Sequence, residues 1–204
     1  LSNIFAFSPT GTLTIVEDQQ ADTVSGLFVT SQYFGGLGVG AIAGRTLSES
    51  DDHSQADPVA VISHRYWRRR FASNPSVVGK TIDVNRLRVA IVGITPEGFE
   101  GPRMSESSDI MLPLAVAARL SPTGRAQPVS VWWLQMMGRL KPGVTREQAL
   151  ADLQTTFAAT ALESWGAPPP DTPIPTRSEV AQLRVRPGAQ GPDGPRIDAQ
   201  QILF

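Results

Sequence analysis

Cysteine is absent from the 204-residue chain. Its absence excludes disulfide bonds, zinc sites built on thiolates and a cysteine nucleophile. It does not fix the cellular compartment, because exported and cytosolic proteins alike can lack cysteine. Histidine is scarce as well, since His53 and His64 are the only two. The side chains most often used for nucleophilic and metal chemistry are therefore nearly missing.

Long apolar segments are also missing. No apolar run approaches the roughly 18 residues needed to cross a bilayer. The first residues, Leu1 to Phe5, have neither the basic segment nor the long apolar stretch of a signal peptide. The chain begins with leucine rather than methionine. We therefore expect a soluble domain that derives from a longer or processed protein.

Neither sign of charge is in excess. Lys and Arg number 18 against 19 Asp and Glu, which gives a net charge of -1. No global positive field attracts nucleic acid, and we predict no nucleic-acid partner. Apolar residues make up 41% and charged residues 18%, which is typical of a folded globular protein and excludes wholesale disorder. The length suffices for one large domain or two small ones.

Nucleophilic catalysis finds no support in the local sequence. Ser63 and His64 are adjacent, so their side chains diverge in a helix or a strand alike. The Gly-x-Ser-x-Gly elbow of many hydrolases is absent. A triad assembled from distant parts of the chain, with His53 or His64 as the base, stays open as an alternative. We predict no catalytic residue.

Metal and phosphate sites are weakly indicated. Glu49, Asp51, Asp52 and His53 cluster in one segment, where a calcium loop and a solvated acidic loop are both conceivable. The glycine and terminal glutamate of a calcium loop are missing, so we favour the solvated loop. The glycine-rich run 35–40 lacks the Lys-Ser/Thr of a phosphate loop. We predict no metal and no cofactor.

Two further clusters allow more than one interpretation. Four arginines, at 65, 68, 69 and 70, follow Ser63, and we interpret them as the solvated face of a helix. A docking surface for an acidic partner is the alternative. Trp132 and Trp133 are neighbours in an apolar segment. On a strand they point to opposite faces, so one is core and the other meets a second layer, a partner or solvent.

The order of predicted elements indicates an α+β fold with mixed or antiparallel sheets. A helix over 64–72 begins at the Ser63 cap and buries Trp67 and Phe71, while Gly35, Gly36 and Gly38 end a single earlier helical turn. A capping box of Thr145 and Gln148 begins a second long helix, 146–163, whose apolar stripe is Ala149, Leu150, Leu153, Phe157 and Ala161. Strands are predicted at 12–16, 24–29, 59–62, 80–84, 87–94, 109–114, 129–141 and 181–186, with Asn85-Arg86 as a hairpin turn. Beyond Pro187 the glycine- and proline-rich, polar composition is typical of a poorly ordered tail.

Motifs along most of the chain resemble those of one family. They are Val24-Ser25-Gly26, Tyr33-Phe34, Leu37-Gly38-Val39, Gly44-Arg45, Asp51-Asp52, Val59 to Ser63, Trp67, Phe71, Val77 to Lys80, Val89, Ile91 to Ile94, Pro96, Phe99, Leu112 to Leu114, Arg139 to Thr145, Gln148, Ala149 and Leu153. Together they resemble the MacB-like periplasmic core domain, which occurs in ABC-transporter permeases of the MacB/FtsX type.

The resemblance implies an extracytoplasmic, periplasmic domain held between two transmembrane helices of a bacterial inner-membrane permease. It implies a porter-like frame from residues 1–44 and 126–204, with an inserted β-rich, sabre-like subdomain over 45–125. Such domains have no catalysis of their own and transmit motion caused by ATP hydrolysis to substrates or partners in export. The structural residues that we single out on this basis are Gly38, Gly44, Arg45, Trp67, Phe71, Gly79 and Gly93.

The implied partners are the rest of the permease and its ATPase. A periplasmic adaptor, an outer-membrane duct and a homodimer remain open, as does the residue set that contacts any of them. Two other functions also stay open. One is a secreted or membrane-anchored domain that binds or signals to a protein without transport. The other is a secreted hydrolase, which requires a polar pocket where a histidine meets carboxylates.

Overall fold

The computed structural model of the protein describes residues 1–102, 107–121, 133–164, 184–186, 188 and 201–203, and for 160–164, 184 and 201–203 the backbone alone. Ten strands lie in this part of the chain: β1 (Ser2–Glu17), β2 (Gln20–Val29), β3 (Ala43–Gly44), β4 (Val59–Ile62), β5 (Thr81–Val84), β6 (Leu87–Ile94), β7 (Ile110–Pro113), β8 (Gln135–Arg139), β9 (Arg184–Arg186) and β10 (Gln201–Leu203). The described α-helices are α1 (Gln32–Leu37), α2 (His64–Phe71), α3 (Ala117–Leu120) and α4 (Arg146–Ser164). The predicted α+β class is confirmed.

Six of the strands pair in a closed ring. The pairs are β1–β2, β2–β7, β7–β4, β4–β6, β6–β5 and β5–β1. Two of these pairings, β2–β7 and β4–β6, are parallel, and the other four are antiparallel. The sheet is therefore mixed, as the order of elements predicted. Closing the ring also removes free strand edges, which would otherwise pair with other chains.

The first strand belongs to two groups of strands. Its N-terminal half pairs with β8, where Ser2 lies opposite Arg139 and Phe7 opposite Gln135. β8 is followed outward by β10 and β9, both parallel to it. The C-terminal half of β1 pairs with β2 and, at Ile15 and Val16, with β5. A bulge between Pro9 and Gly11 separates the halves, and bulges bend a strand.

Two apolar cores lie on opposite faces of the ring strands. The first takes residues from all six ring strands and from α2, including Ile15, Ile62 and Tyr66. The second lies beneath α1 and centres on Phe5, Phe7, Tyr33 and Phe34. There the Tyr33 ring packs edge-on against the rings of Phe5 and Phe34, and its centroid lies 5.5 and 5.2 Å from theirs. Aromatic pairs prefer this arrangement.

The run of four apolar residues in β4 is explained by these two cores. Ala60 and Ile62 face the first core, while Val59 and Val61 face the second. Side chains alternate along a strand, so a strand with a core on each side has no solvent-facing position. All four residues are accordingly buried, and the strand predicted at 59–62 is confirmed.

The helical turn before the glycine-rich run is longer than predicted. Gly35 and Gly36 lie inside α1, and only Gly38 ends it, with a left-handed φ of 71°. The prediction that all three glycines stop the helix is wrong for the first two. Gly36 is needed for close packing instead, because an added Cβ would lie 2.3 Å from the Phe5 ring. Ser31 makes no side-chain cap at the start of α1.

Helix α2 begins as predicted and buries a different residue. The Ser63 hydroxyl accepts a hydrogen bond from the backbone N–H of Tyr66, which confirms the cap. The fully buried aromatic residue is Tyr66, whereas Trp67 is half-buried at the edge of the first core. Trp67 Nε1 donates to the backbone carbonyl of Asn74, at 2.8 Å. The predicted buried face is therefore correct for Phe71 and in part for Trp67, which packs against the first core, and it omitted Tyr66.

The predicted hairpin joins β5 to β6. Asn85 and Arg86 both have positive φ, 46° and 71°, which is the geometry of a two-residue type I′ turn. Arginine thus occupies a left-handed position where glycine is usual. The turn also reaches β1, because Asn85 Oδ1 accepts from the backbone N–H of Thr14 and Asn85 N–H donates to the Thr14 carbonyl, both at 2.9 Å.

The predicted capping box at the start of α4 is confirmed. Gln148 Oε1 accepts from the Thr145 backbone N–H at 2.9 Å, and Thr145 Oγ1 accepts from the Gln148 N–H at 3.2 Å.

The strand predicted over 129–141 is shorter in the structure, because β8 begins at Gln135. Trp132 lies outside the described residues. Trp133 precedes the strand and is half-buried. β10 lies in the tail beyond Pro187, where no element was predicted.

Candidate functional site

Two glycines allow β3 and β6 to approach each other closely. Gly44 and Gly93 lie directly opposite in the antiparallel pair. An added Cβ at Gly93 would lie 2.0 Å from the Arg45 carbonyl oxygen, and one at Gly44 would lie 2.1 Å from the Val92 carbonyl oxygen. The Arg45 N–H donates to that Val92 carbonyl at 2.8 Å. Neither strand can therefore carry a side chain at this crossing.

Arg45 follows this crossing and anchors the loop after it. Its guanidinium binds Asp51 through both nitrogens, Nη1 to Oδ2 at 2.6 Å and Nη2 to Oδ1 at 3.0 Å. The same carboxylate accepts from the Ser48 backbone N–H at 2.7 Å and the Ser48 hydroxyl at 2.9 Å. Burial raises the pKa of Asp51, but the hydrogen bonds from Arg45 and Ser48 outweigh it and hold the pKa below its ordinary value of 3.8.

We expect Asp51→Asn to lower the free energy of unfolding near neutral pH by about 1–2 kcal/mol, because it removes the charge that binds Arg45 and Ser48. The effect is not larger because Arg45 is half-exposed, so that solvent screens its attraction to Asp51. A carboxyl with a depressed pKa stabilises the fold above its unfolded pKa, and this stability is lost as pH falls through the folded value. Urea unfolding of both proteins at neutral pH and at about pH 3 measures the difference. An equal difference in the free energy of unfolding between the two proteins at both pH values would contradict this role.

The carboxylates of the acidic loop bind an arginine and backbone N–H groups. Asp51 is occupied as described, and Asp52 Oδ2 accepts from the Ser31 backbone N–H at 2.7 Å. Among the residues that the structure describes, no group of three or more His, Asp and Glu side chains is placed to hold a metal ion. The loop therefore links β3 to the start of α1.

The histidines lie on separate elements. His53 is exposed in the loop after Asp52, and His64 begins α2, where its ring lies 5.4 Å from the Trp67 ring. A cavity of about 510 Å³ adjoins His64 and is lined by Arg65, Arg68, Arg69, Glu97 and Gly98. His53 does not line it. Among the residues that the structure describes, no second histidine and no serine lines this cavity.

The arginines of α2 face solvent and also hold parts of the chain together. Arg65, Arg68 and Arg69 are exposed, as predicted, and Arg70 is largely buried. Each guanidinium lies within ion-pair distance of a carboxylate from another segment. The pairs are Arg65–Asp109 at 2.8 Å, Arg68–Glu97 at 3.2 Å, Arg69–Asp109 at 3.5 Å, Arg69–Asp22 at 3.7 Å and Arg70–Glu17 at 3.3 Å. The solvated face therefore has structural partners that the interpretation did not include.

The acidic partners were not predicted from the sequence. Glu17, at the end of β1, is 10% exposed and lies between Arg70 and Lys80, each 3.3 Å away. Asp109 is 6% exposed and also accepts from the Ser25 backbone N–H. These carboxylates lie 40 or more residues from the arginines in sequence, so no local pattern could have indicated them. They tie α2 to the β1–β2 hairpin and to the segment before β7.

A second cavity, of about 460 Å³, lies beside the bulge of β1. Phe7, Pro9 and Gly11 line it on one side, and Ser25 and Asp109 line it on another. Asp109 is already bound by two arginines and by Ser25. The exposed Glu100 also lines the cavity, so the lining combines apolar surface with a second carboxylate besides Asp109.

The edge of the sheet where β1 begins is the remaining feature of interest. β10 runs parallel to β8 and antiparallel to β1. The N-terminal end of β1 and the C-terminal end of β10 therefore lie at the same edge of the sheet, with β8 between them. Adjacent strands are about 4.8 Å apart, so the two ends are separated by roughly 10 Å.

No described helix is long and apolar enough to cross a membrane.

The chain matches the family model of the MacB-like periplasmic core domain over residues 1–156. No curated protein matches it. The periplasmic region of MacB from Actinobacillus actinomycetemcomitans is similar in structure, with 19% sequence identity, a TM-score of 0.58, and coverage of 78% of this chain and 66% of that one. At this identity the likeness shows the fold alone.

The extracellular domain of the ABC-type transporter YknZ from Gram-positive bacteria is also similar, with 18% identity and a TM-score of 0.47. Its match covers 57% of this chain and 56% of that one. The chain thus spans less than two thirds of the length of either of these structures.

Proposed function

Because the chain belongs to the MacB-like periplasmic core domain family, we propose that it is the extracytoplasmic part of an ABC-transporter permease of the MacB/FtsX type. In this role it passes conformational change from the membrane to substrate or partner proteins during export. Its immediate partners are the membrane helices of the permease and, through them, the ATPase. The domain contributes no catalysis of its own.

The single observation that carries this proposal is the family match, which covers residues 1–156 of the 204-residue chain. The fold that the chain shares with the periplasmic region of MacB supports it.

β1 supplies the path along which motion travels. Hydrogen bonds to β8 hold its first half, and hydrogen bonds to β2 and β5 hold its second half in the ring. A displacement of the first half therefore acts on the ring through one continuous strand. We also propose the division into two subdomains: a frame formed by 1–44 and 126–204, and an insertion over 45–125. In this division β1 belongs to the frame and β5 to the insertion, and the two strands pair with each other.

Hydrogen–deuterium exchange in the full-length protein with its ATPase tests transmission. We expect ATP to change the protection of amide groups in Ser2–Ser8 and in β8, because the proposed motion acts on the ring through the part of β1 that pairs with β8. A variant ATPase that binds ATP without hydrolysing it serves as the control. Identical protection in all states would contradict transmission and favour a domain that binds a protein partner without transport.

A further inference from the structure

The cavity beside the start of α2 gathers three arginines on one wall. Arg65, Arg68 and Arg69 all line it, and spacings of three and four residues from Arg65 place them on one face of the helix. Their side chains are between 48% and 62% exposed. The first turn of α2 carries no acidic residue, so the positive end of the helix dipole adds to their field. These three residues form the α2 arginine surface.

Few carboxylates meet this surface from the side of the cavity. Among the described residues that line the cavity, Glu97 alone carries a carboxylate. Asp109 is 6% exposed and is shared by Arg65 and Arg69. Asp22 lies 3.7 Å from Arg69 and does not line the cavity. The lining is therefore predominantly positive, although the whole chain has a net charge of -1.

Arg68 and Arg69 have hydrogen-bond donors to spare. A guanidinium carries five N–H donors and binds a carboxylate best through two nitrogens, as Arg45 does in the acidic loop. Within the described ranges Arg68 donates through Nη1 alone, to Glu97 at 3.2 Å. Arg69 donates through Nη2 alone, to Asp109 at 3.5 Å. Donors of both guanidiniums therefore remain for a further acceptor.

The pair of Arg68 and Glu97 shows which kind of acceptor the cavity admits. Their side chains are 62% and 73% exposed, and an ion pair so exposed contributes little. Glu97 can therefore leave Arg68 when another carboxylate arrives. A phosphate group carries about two negative charges, so the Glu97 carboxylate repels it more strongly than it repels a single carboxylate. The site thus favours a carboxylate ligand.

We propose that the α2 arginine surface binds an acidic segment of a partner protein, in which a carboxylate replaces Glu97 on Arg68. The cavity of about 510 Å³ is many times the roughly 30 Å³ of one water molecule, so it accommodates a peptide segment rather than a lone ion. The planar guanidinium forks match the geometry of carboxylates. This inference goes beyond the proposed function, because the segment binds in the same way whether or not the domain takes part in transport.

Fluorescence anisotropy with a labelled peptide tests this proposal. The probe is fluorescein-labelled hexaglutamate, labelled hexaglutamine is the neutral control peptide, and the protein is the 204-residue chain. We expect hexaglutamate alone to bind. Arg68→Gln should weaken this binding roughly threefold, the effect of losing an exposed ion pair. Arg65 and Arg69 stay unchanged, because they hold the buried Asp109.

The matched control is Arg88→Gln. Arg88 is an exposed arginine of β6 that does not line the cavity. Its replacement changes the net charge by the same amount as Arg68→Gln does. Arg88→Gln should therefore bind hexaglutamate as the unchanged chain does.

Glu97→Gln tests the exchange of carboxylates itself. This variant removes the competing carboxylate from Arg68, so hexaglutamate should bind roughly threefold more tightly. Glu49→Gln, in the acidic loop, makes the same change in net charge away from the cavity lining. It should leave the binding unchanged.

Three results would overturn the proposal: equal binding or no binding of the two peptides, equal effects of Arg68→Gln and Arg88→Gln, or Glu97→Gln binding no more tightly than Glu49→Gln. Displacement of hexaglutamate by sodium phosphate, but not by sodium acetate at the same ionic strength, would assign the surface to phosphate instead. None of these results affects the exchange experiment with the ATPase, so the two proposals fail separately.

Discussion

Gly93→Ala is expected to destabilise the protein by about 3 kcal/mol, because overpacking that cannot relax reaches this magnitude. The new Cβ would lie 2.0 Å from the Arg45 carbonyl oxygen, and further backbone atoms of Arg45 lie 2.9 and 3.1 Å away. Backbone in a strand pair cannot swing aside as a side chain can. The β3–β6 pairing must therefore separate, and with it the loop that Arg45 anchors through Asp51. The urea midpoint measures the loss.

Gly35→Ala provides the matched control. Gly35 lies in α1, and an added Cβ there meets nothing within 4 Å. Alanine is favoured over glycine in a helix by roughly 0.5–1 kcal/mol, so this variant should be slightly more stable than the unchanged chain. A Gly93→Ala protein as stable as Gly35→Ala would show that β3 and β6 do not approach as closely as described.

Tyr66→Ala is expected to cost about 3–5 kcal/mol, the usual effect of removing a large buried aromatic side chain. Tyr66 is fully buried in the first core, and its ring packs edge-on against Phe71 with centroids 5.8 Å apart. Trp67→Ala should cost clearly less, since Trp67 is half-buried. Chemical denaturation of the two variants decides which residue belongs to the core. A larger loss for Trp67→Ala would contradict the described orientation of α2.

Tyr66→Phe separates the ring from the hydroxyl. The Tyr66 hydroxyl is buried and makes no hydrogen bond among the described residues. Removing an unsatisfied buried polar atom is close to neutral or stabilising. Burial also raises the pKa of Tyr66 to about 12, so wild-type stability should fall as pH rises from 10 toward 12. Tyr66→Phe should remove the contribution of this group to that fall.

Local sequence patterns predicted the elements whose determinants are local. The Ser63 cap, the Thr145/Gln148 capping box, the apolar run of β4 and the Asn85-Arg86 turn each depend on residues within four positions of one another. The error at Trp67 has a different origin. Trp67 and Phe71, four residues apart, lie on one face of a helix, whereas Tyr66 is rotated by about 100° from Trp67. Only the tertiary packing of α2 against the ring determines that Tyr66 is the more deeply buried.

The candidate site depends on contacts that are distant in sequence. Nothing in the sequence near Arg65 or Arg70 indicates that Arg65 pairs with Asp109 and Arg70 with Glu17. The pairing of other strands places these carboxylates next to α2. The common edge of β1 and β10 depends on a strand at 201–203 that pairs between β8 and β9. Its three residues carry no pattern that local analysis could detect.

The central proposal is tested most directly by measuring on which side of the inner membrane the domain lies. The 204 residues contain no cysteine, so Arg86→Cys introduces a single thiol at the exposed turn of the β5–β6 hairpin. The full-length protein, freed of other cysteines, is treated in spheroplasts with a maleimide that cannot cross the inner membrane. We expect Arg86→Cys to be labelled without lysis. Labelling only after the inner membrane is opened would contradict this expectation.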